Sequence, residues 1–363
     1  MSIPPEVHQL FHGVPITCHA FSGDRTQVAV SPASHQVHIY RKNGAAWTLA
    51  HVLDEHDKLV TSIDWAPQTN RIVSCAQDRN AYVWVQDPVS GLWKPQLVLL
   101  RINRAATQVR WSPREDKFAV ATGSRLIAVA HYDADNDYYI SKHIRKPIRS
   151  TVLSIQWHPE NILLAAGCAD MKARVFSAWV KGIDAKAANP VWGEKLPFGT
   201  LCGEFGTPNG GWVHDAAFSP SGNILAWVGH DGNVSFSYGP AGPVFTALTT
   251  GLPLVSLVFV AEDAVVAAGH DCVPFLFRFT GAQWELVDRI DKGASKVAAG
   301  DANSAMAMFK TMASRGQATT EGVELNSRHQ NTITSVRAYA WQGDRVTHFS
   351  TSGVDGKLII WRL

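Results

Sequence analysis

The chain has 363 residues, 33 Lys and Arg against 31 Asp and Glu, a formal charge of +2 and 46% hydrophobic residues. That balance excludes wholesale disorder and leaves no overall electrostatic footprint for nucleic acid. No apolar run is long enough to span a bilayer, so no membrane insertion is expected, and five scattered cysteines without a C-x-x-C pair fit reduced thiols of an intracellular protein better than a disulfide framework or a zinc site.

The first residues, Met1 to Glu6, lack the basic and apolar regions of a secretory signal. Val7 to Phe11 reads as a short strand. A repeat then takes over. Ser62-Ile63-Asp64-Trp65-Ala66-Pro67, Gln108-Val109-Arg110-Trp111-Ser112-Pro113 and Ser154-Ile155-Gln156-Trp157-His158-Pro159 align directly, and Asp215 to Pro220 follows the same pattern. With Phe21, Phe259 and Tyr339 there are seven aromatic anchors, and the first three intervals are 44, 46 and 46 residues. These match the roughly 40–45 residues of a four-stranded propeller blade. An Asp lies 13 residues beyond the anchor at Asp78, Asp170 and Asp231, and 12 beyond it at Asp271. An alternating strand follows each Asp. Asp231-Gly232 and Asp355-Gly356 are tight-turn dipeptides, because Gly accepts positive φ. Each unit therefore predicts strand, short turn, strand, tight Asp turn, strand and a more variable outer strand.

Unit two carries His56, Ser74, Asp78 and Trp84, and unit seven repeats the hydroxyl, Asp and Trp spacing with His329, Thr351, Asp355 and Trp361. On these residues the sequence resembles the WD-repeat family. The resemblance implies a hydrogen-bonded His–Ser–Asp–Trp network within a blade and a ring closed by an N-terminal strand. The predicted fold is all-β, a seven-bladed WD40 β-propeller with a short helical insertion between blades six and seven. Its divisions are a closing strand in 1–12, blades at 13–56, 57–102, 103–148, 149–205, 206–250 and 251–293, the insertion at 294–328, and blade seven at 329–363. Leu363 directly follows the third strand of unit seven, so the outer strand of that blade is expected from the N-terminus. Ser34 and Gly123 stand where units one and three would have the Asp, so packing alone is expected to hold those blades. Trp65, Trp84, Trp111, Trp157 and Trp361 occupy repeat positions and read as structural.

Two intervals are too long. The 61 residues from Trp157 to Phe218 place an Ala-, Gly- and Pro-rich excursion between Val180 and Phe205, before the outer strand of blade four. The 80 residues from Phe259 to Tyr339 place an insertion between Gly293 and Arg328. Residues 301–316 are helical in pattern, with Asp301 or Asn303 as cap and Gly316 as stop. Met306, Phe309 and Met312, joined by Met308, form a broad apolar face. Such a helix either folds back on the propeller or, on its small polar tethers, docks into a partner's groove; the second is favoured because a completed propeller offers little unfilled groove.

Motifs for catalysis are absent. Gly206 to Gly211 lacks the Lys and following helix of a phosphate-binding loop. Gly229-His230-Asp231 and Gly269-His270-Asp271 recur at equivalent turns and read as turn chemistry. No cofactor, metal or enzymatic activity is expected. Lys142, Arg145, Lys146 and Arg149, with His143 among them, form a basic run, and Arg101, Arg104, Arg110, Arg114 and Arg125 add charge nearby. The run is either a solvated face or a docking surface for an acidic protein segment.

Further stretches narrow the resemblance: Pro5 to Leu10, Ile16 to Phe21, His56 to Trp65, Gly211 to Asp215, the Met/Phe insertion, His329 to Ile333 and Asp355 to Lys357. Together they are similar to the WD-repeat subunits of the actin-related protein 2/3 complex. That resemblance implies a non-catalytic scaffold of a seven-subunit assembly in the cytoplasm, at the actin cytoskeleton. Its partners would be the other subunits, the actin filament and acidic nucleation-promoting activators, with the insertion helix contacting the mother filament or an activator. The rival readings are a WD-repeat adaptor in a vesicle coat or ubiquitin ligase, and a propeller enzyme.

Overall fold

Short strands rich in Val, Ile, Ala and Trp, separated by turn residues, pair only with their sequence neighbours almost everywhere along this chain. The computed structural model describes residues 4–185, 188–293 and 325–363. These contain 28 strands in seven four-stranded antiparallel sheets, and no α-helix is present among the described residues. The helix expected over 301–316 lies outside them.

Six sheets use four consecutive strands. The first runs Cys18–Phe21, Gln27–Ser31, Val37–Asn43 and Ala46–Leu53, from channel to rim. The seventh takes Ile333–Gln342, Arg345–Gly353 and Lys357–Arg362, and completes itself with Glu6–Gln9 from the other end of the chain. Glu6 sits opposite Ile360 and Gln9 opposite Lys357. The N–H groups of Leu10 and Phe11 both donate to the Gly356 carbonyl, at 3.1 and 3.2 Å. Each innermost strand packs on the next, and Ile333–Gln342 returns to Cys18–Phe21, closing the ring.

The core is correspondingly divided. Seven apolar clusters form, each between two neighbouring blades. Second strands such as Ile72–Ala76 and Leu163–Cys168 are buried at every position, as expected for strands covered on both faces. Outer strands such as Trp93–Val98 are exposed along their middle. Between blades five and six Phe236 stacks on Trp284 with ring centroids 3.8 Å apart. A fully buried aromatic of this kind contributes roughly 1.5–3 kcal/mol from apolar burial.

All five repeat-position tryptophans are buried, but their N–H groups are used differently. Trp84 and Trp361 donate to the Ser74 and Thr351 hydroxyls. Trp65 reaches Asn70 Oδ1 and Trp157 the Arg110 carbonyl. The Trp111 N–H has no partner among the described residues. Packing is the shared role.

The turns between second and third strands need one left-handed residue. Glycine fills it at Gly232 and Gly356, with φ of 78° and 74°, but Arg79, Arg125, Met171 and Cys272 take it at 59° to 75°. A side chain there costs roughly 1–2 kcal/mol.

The excursion of blade four leaves the third strand, Lys172–Ser177, and returns as the outer strand, Leu201–Gly206. Trp192 and Asp184 are two of its anchors. Trp192 buries against Phe218 and donates to the Gly222 carbonyl at 2.9 Å. Asp184, wholly buried, ion-pairs with Lys117 of blade three, itself wholly buried. Arg114 and Asn161 also donate to Asp184 Oδ1, at 2.6 and 3.0 Å, and the Val180 N–H donates to Oδ2 at 2.7 Å. Burial pushes the Lys117 ammonium below its ordinary range and Asp184 opposes that. Removing one partner of such a pair leaves an uncompensated buried charge. We expect Asp184→Asn to lower the free energy of unfolding by about 3–5 kcal/mol. Combining Lys117→Met with Asp184→Leu should recover most of that loss, and urea denaturation of the two variants checks both statements.

Candidate interaction surface

In each antiparallel blade the loop entering the inner strand and the turn between second and third strands lie at the same end of the ring. The repeat Asp and His residues gather there. In blade two the Trp84 N–H donates to Ser74 Oγ at 2.9 Å, the Ser74 hydroxyl pairs with His56 Nε2 at 2.9 Å, and His56 Nδ1 meets Asp78 Oδ2 at 2.7 Å. Asp78 also accepts the N–H of Asp57 at 3.1 Å, joining the tight turn to the entering loop. Burial keeps His56 below its usual range, against the pull of Asp78.

Blade seven repeats the chain. Trp361 donates to Thr351 at 2.8 Å, Thr351 pairs with His329 Nε2 at 2.7 Å, and Nδ1 lies 3.1 Å from each oxygen of Asp355. Burial would raise the Asp355 carboxyl, but His329 and the N–H groups of Gln330 and Lys357 hold it below its ordinary value.

Blades lacking the tetrad use substitutes. In blade four Arg174 grips Asp170 with two bonds of 2.9 Å and reaches Glu204 at 2.7 Å. In blade three Ser124, one residue beyond Gly123, accepts the N–H groups of Asn103 and Arg104 at 3.2 and 2.9 Å. The Ser34 carbonyl of blade one accepts the Val60 N–H of blade two at 2.8 Å, a bond between blades. The expectation that packing alone holds blade three is therefore corrected: a hydroxyl supplies the acceptor that Asp supplies elsewhere.

The basic residues separate into three places. Arg101, Arg104, Arg125 and Arg145 line one cavity of about 1280 Å³ between blades three and four at this end of the ring, with Ser124, Ser150 and Thr151 on its walls. All four arginines are exposed. The arginine ion pairs among the described residues belong instead to Arg114, Arg174, Arg328 and Arg337. Arg145 also bonds His143 at 2.8 Å. Lys146 and Arg149 are exposed on the same loop, whereas Lys142 stands on the outer strand, its ammonium 6.0 Å from the Phe198 ring. Two residues expected to join this surface do not. Arg110 borders the central channel, as Asp64 and Gln156 do from the same position of blades two and four, and Arg114 binds Asp116 and Asp184.

Two features here were missed by sequence reasoning. Trp212 is 55% exposed beside the rings of His214 and His230. His214 Nε2 and His230 Nδ1 are 3.0 Å apart, and burial, followed by His230 and His270, brings His214 down to about 4. The second is a clasp at the roots of the insertion. Asp291, its side chain fully buried, accepts the Gly293 N–H at 3.1 Å and the Arg328 N–H at 2.6 Å, and pairs with the Arg328 guanidinium. Lys357 Nζ donates to the Arg328 carbonyl at 2.6 Å. Only the positions of Asp291 just before the extra sequence and of Arg328 at its end could have signalled this. Met306, Met308, Phe309 and Met312 lie outside the described residues. Among the described residues no three His, Cys, Asp or Glu side chains converge as metal ligands would.

The WD domain, G-beta repeat, matches residues 47–85 and 140–177. Actin-related protein 2/3 complex subunit 1A-A of Xenopus laevis is 49% identical over 350 residues, covering 96% of this chain and 94% of that protein. Subunit 1 of Schizosaccharomyces pombe is 44% identical, covering 95% and 96%, and subunit 1 of Saccharomyces cerevisiae 37%, covering 96% and 95%. This chain belongs to the actin-related protein 2/3 complex subunit 1 family. Both matched repeat segments begin in one blade's outer strand and end in the third strand of the next. The family's repeat is thus staggered against the blade, the same stagger that makes Glu6–Gln9 the outer strand of blade seven.

The buried and half-buried histidines of this subunit 1 family member predict a pH dependence for its fold. Burial lowers His19, His56, His158 and His214 from their ordinary value of 6.5. Below that value the unfolded chain binds more protons than the folded one, so stability falls as pH falls. We expect the thermal midpoint to drop steadily from pH 6.5 towards 4 and to be flatter from 6.5 to 8. Replacing His214 with Gln should weaken the drop, as followed by circular dichroism.

Proposed function

We propose that the protein is a non-catalytic scaffold and interaction subunit of an actin-related protein 2/3 complex, supporting nucleation of branched actin filaments. Full-length similarity to proteins named as subunit 1 of that complex carries this reading. In it the partners are the other subunits, the actin filament and acidic activator segments, and the protein works in the cytoplasm at the actin cytoskeleton. Purifying the tagged full-length chain from its own cells tests the core of the reading. Actin-related proteins should come with it in stoichiometric amounts, and their absence would overturn it.

The arginine cavity supports the acidic-segment part. Four exposed guanidiniums that make no ion pair among the described residues present a field that steers and holds negative charge. Arg145, Lys146 and Arg149 belong to this surface, and Lys142 extends it around the rim. In the assembled complex, changing Arg101, Arg104, Arg125 and Arg145 to Glu should weaken binding of an acidic activator peptide at least tenfold, about 1.4 kcal/mol. Wild-type affinity should fall as salt rises.

The apolar face that the sequence pattern predicts for Met306, Met308, Phe309 and Met312 supports a contact with the mother filament or an activator, because such surfaces adapt to partner grooves. Replacing Met306, Phe309 and Met312 with Asp should reduce branch formation and leave thermal unfolding unchanged. A large shift in unfolding would mean that these residues serve the fold instead.

A further inference from the structure

Asp78, Asp170, Asp231, Asp271 and Asp355 hold the same place in the turn between second and third strands of blades two, four, five, six and seven, and blade three has Ser124 there. The backbone registers the equivalence. The residue before this place donates its N–H to the loop entering the blade, Gln77 to Leu59, Gly123 to Ala105 and Ala169 to Thr151, each at 2.9 Å. Ser124 is thus the one uncharged member among these six blades. It stands on the wall of the cavity that gathers Arg101, Arg104, Arg125 and Arg145.

The charge of that cavity does not balance. Four guanidiniums border its volume of about 1280 Å³, and no Asp or Glu is among the wall residues. Asp170 follows the wall residue Ala169, but Arg174 holds both its oxygens at 2.9 Å. Arg145 bonds His143, and among the described residues the side chains of Arg101, Arg104 and Arg125 make no hydrogen bond or ion pair. Ser124, Ser150 and Thr151 add hydroxyl groups to the walls. Gly123 keeps room for the arginines, since a Cβ there would stand 3.3 Å from the Cβ of Arg104.

We propose that this cavity binds a soluble small molecule carrying two or more phosphomonoester groups on a rigid frame, which competes there with acidic protein segments. The inference rests on the reading of this surface as an acidic-segment site and adds a regulator to it. A phosphomonoester carries about −1.5 to −2 at neutral pH, so at least two are needed to match four guanidiniums. Each guanidinium fork meets a phosphate through two parallel hydrogen bonds. A peptide needs four carboxylates for the same charge and gives up the freedom of every side chain it fixes, whereas phosphates on a ring are already positioned. The volume exceeds the roughly 300–1,000 Å³ of ordinary small-molecule pockets, so a single phosphate would leave most of it unfilled. A lipid headgroup offers the same phosphates, but Leu126 is buried and Ile102 half-buried, and no exposed large apolar side chain lines the cavity to enter a bilayer.

Inositol hexakisphosphate is the probe, titrated calorimetrically into the full-length protein in whatever assembly it purifies with. Binding should saturate at one site per chain and weaken as salt rises, and inorganic phosphate should bind far more weakly. Ser124→Asp restores the acid of the other blades in a turn that suits it. It should raise the dissociation constant about tenfold or more and leave thermal unfolding unchanged, and Arg125→Gln should weaken binding in the same direction. The probe should also displace a synthetic Asp- and Glu-rich peptide. A protein that binds the peptide but not the probe overturns this inference alone, and one that binds neither removes the acidic-segment reading as well. Probe affinity unchanged in both variants, or probe and peptide bound together without competition, overturns it. So does binding to phosphatidylcholine vesicles that contain a bisphosphorylated inositol lipid without binding of the soluble probe. If Ser124→Asp does not fold, Arg101→Gln and Arg125→Gln decide.

Discussion

A β-sheet standing alone has two uncovered faces and two edges of unpaired N–H and C=O groups, and everything in this molecule follows from removing both. Faces are covered by setting each sheet against two neighbours, which divides the core into seven inter-blade clusters. That works only if the series closes on itself. Closure falls to the seventh blade, where Glu6–Gln9 pairs with Lys357–Arg362. The blade-seven and blade-one cluster, with Ile16, Phe21, Val28, Leu358 and Ile360, is sealed by Leu10 and Phe11 from the same N-terminal stretch. The two ends of the chain thus share one sheet, and neither can leave without reopening an edge.

Polar groups reinforce the closure from within. Asp64 accepts a backbone N–H from blade three, Gln108 one from blade four and Asp215 one from blade six, while Ser256 accepts one from blade seven. At these four junctions an innermost strand is registered against the next by a side chain that finds a fixed donor, which apolar packing alone would leave free to slide. Arg337 goes further, reaching from blade seven to blade two past blade one. The His–hydroxyl–Asp–Trp chains do the same work inside a blade, between its strands and the loop that enters it.

Much of this was legible in the sequence because it recurs. Seven anchors, the Asp beyond them and the two tetrads mark positions that local geometry requires repeatedly, and recurrence separates them from chance. What recurs imperfectly was harder to see. Ser124 does the work of Asp78 from one position along, where alignment had found only Gly123. Arg110 reads as part of a basic surface on charge alone; that it faces the channel follows from strand alternation, since Asp64, Arg110 and Gln156 each precede an anchor and border the same cavity. Contacts made once, such as Asp184 with Lys117 or Asp291 with Arg328, join residues far apart in the chain and leave no periodic trace. The cavity arginines come from two entering loops and one turn, so only the fold could say that Arg101, Arg104, Arg125 and Arg145 meet while Arg114 does not.

The Asp291 clasp bears on how such a chain can change over generations. Because Gly293 and Arg328 are held by one carboxylate, the stretch between them begins and ends at the same place on the ring. Closing a flexible loop becomes only about 0.6 kcal/mol more costly for each doubling of its length. The stretch between those roots can therefore lengthen, shorten or change its composition without moving a blade. The ring is held to a strict geometry into which the length of the stretch between these roots does not enter.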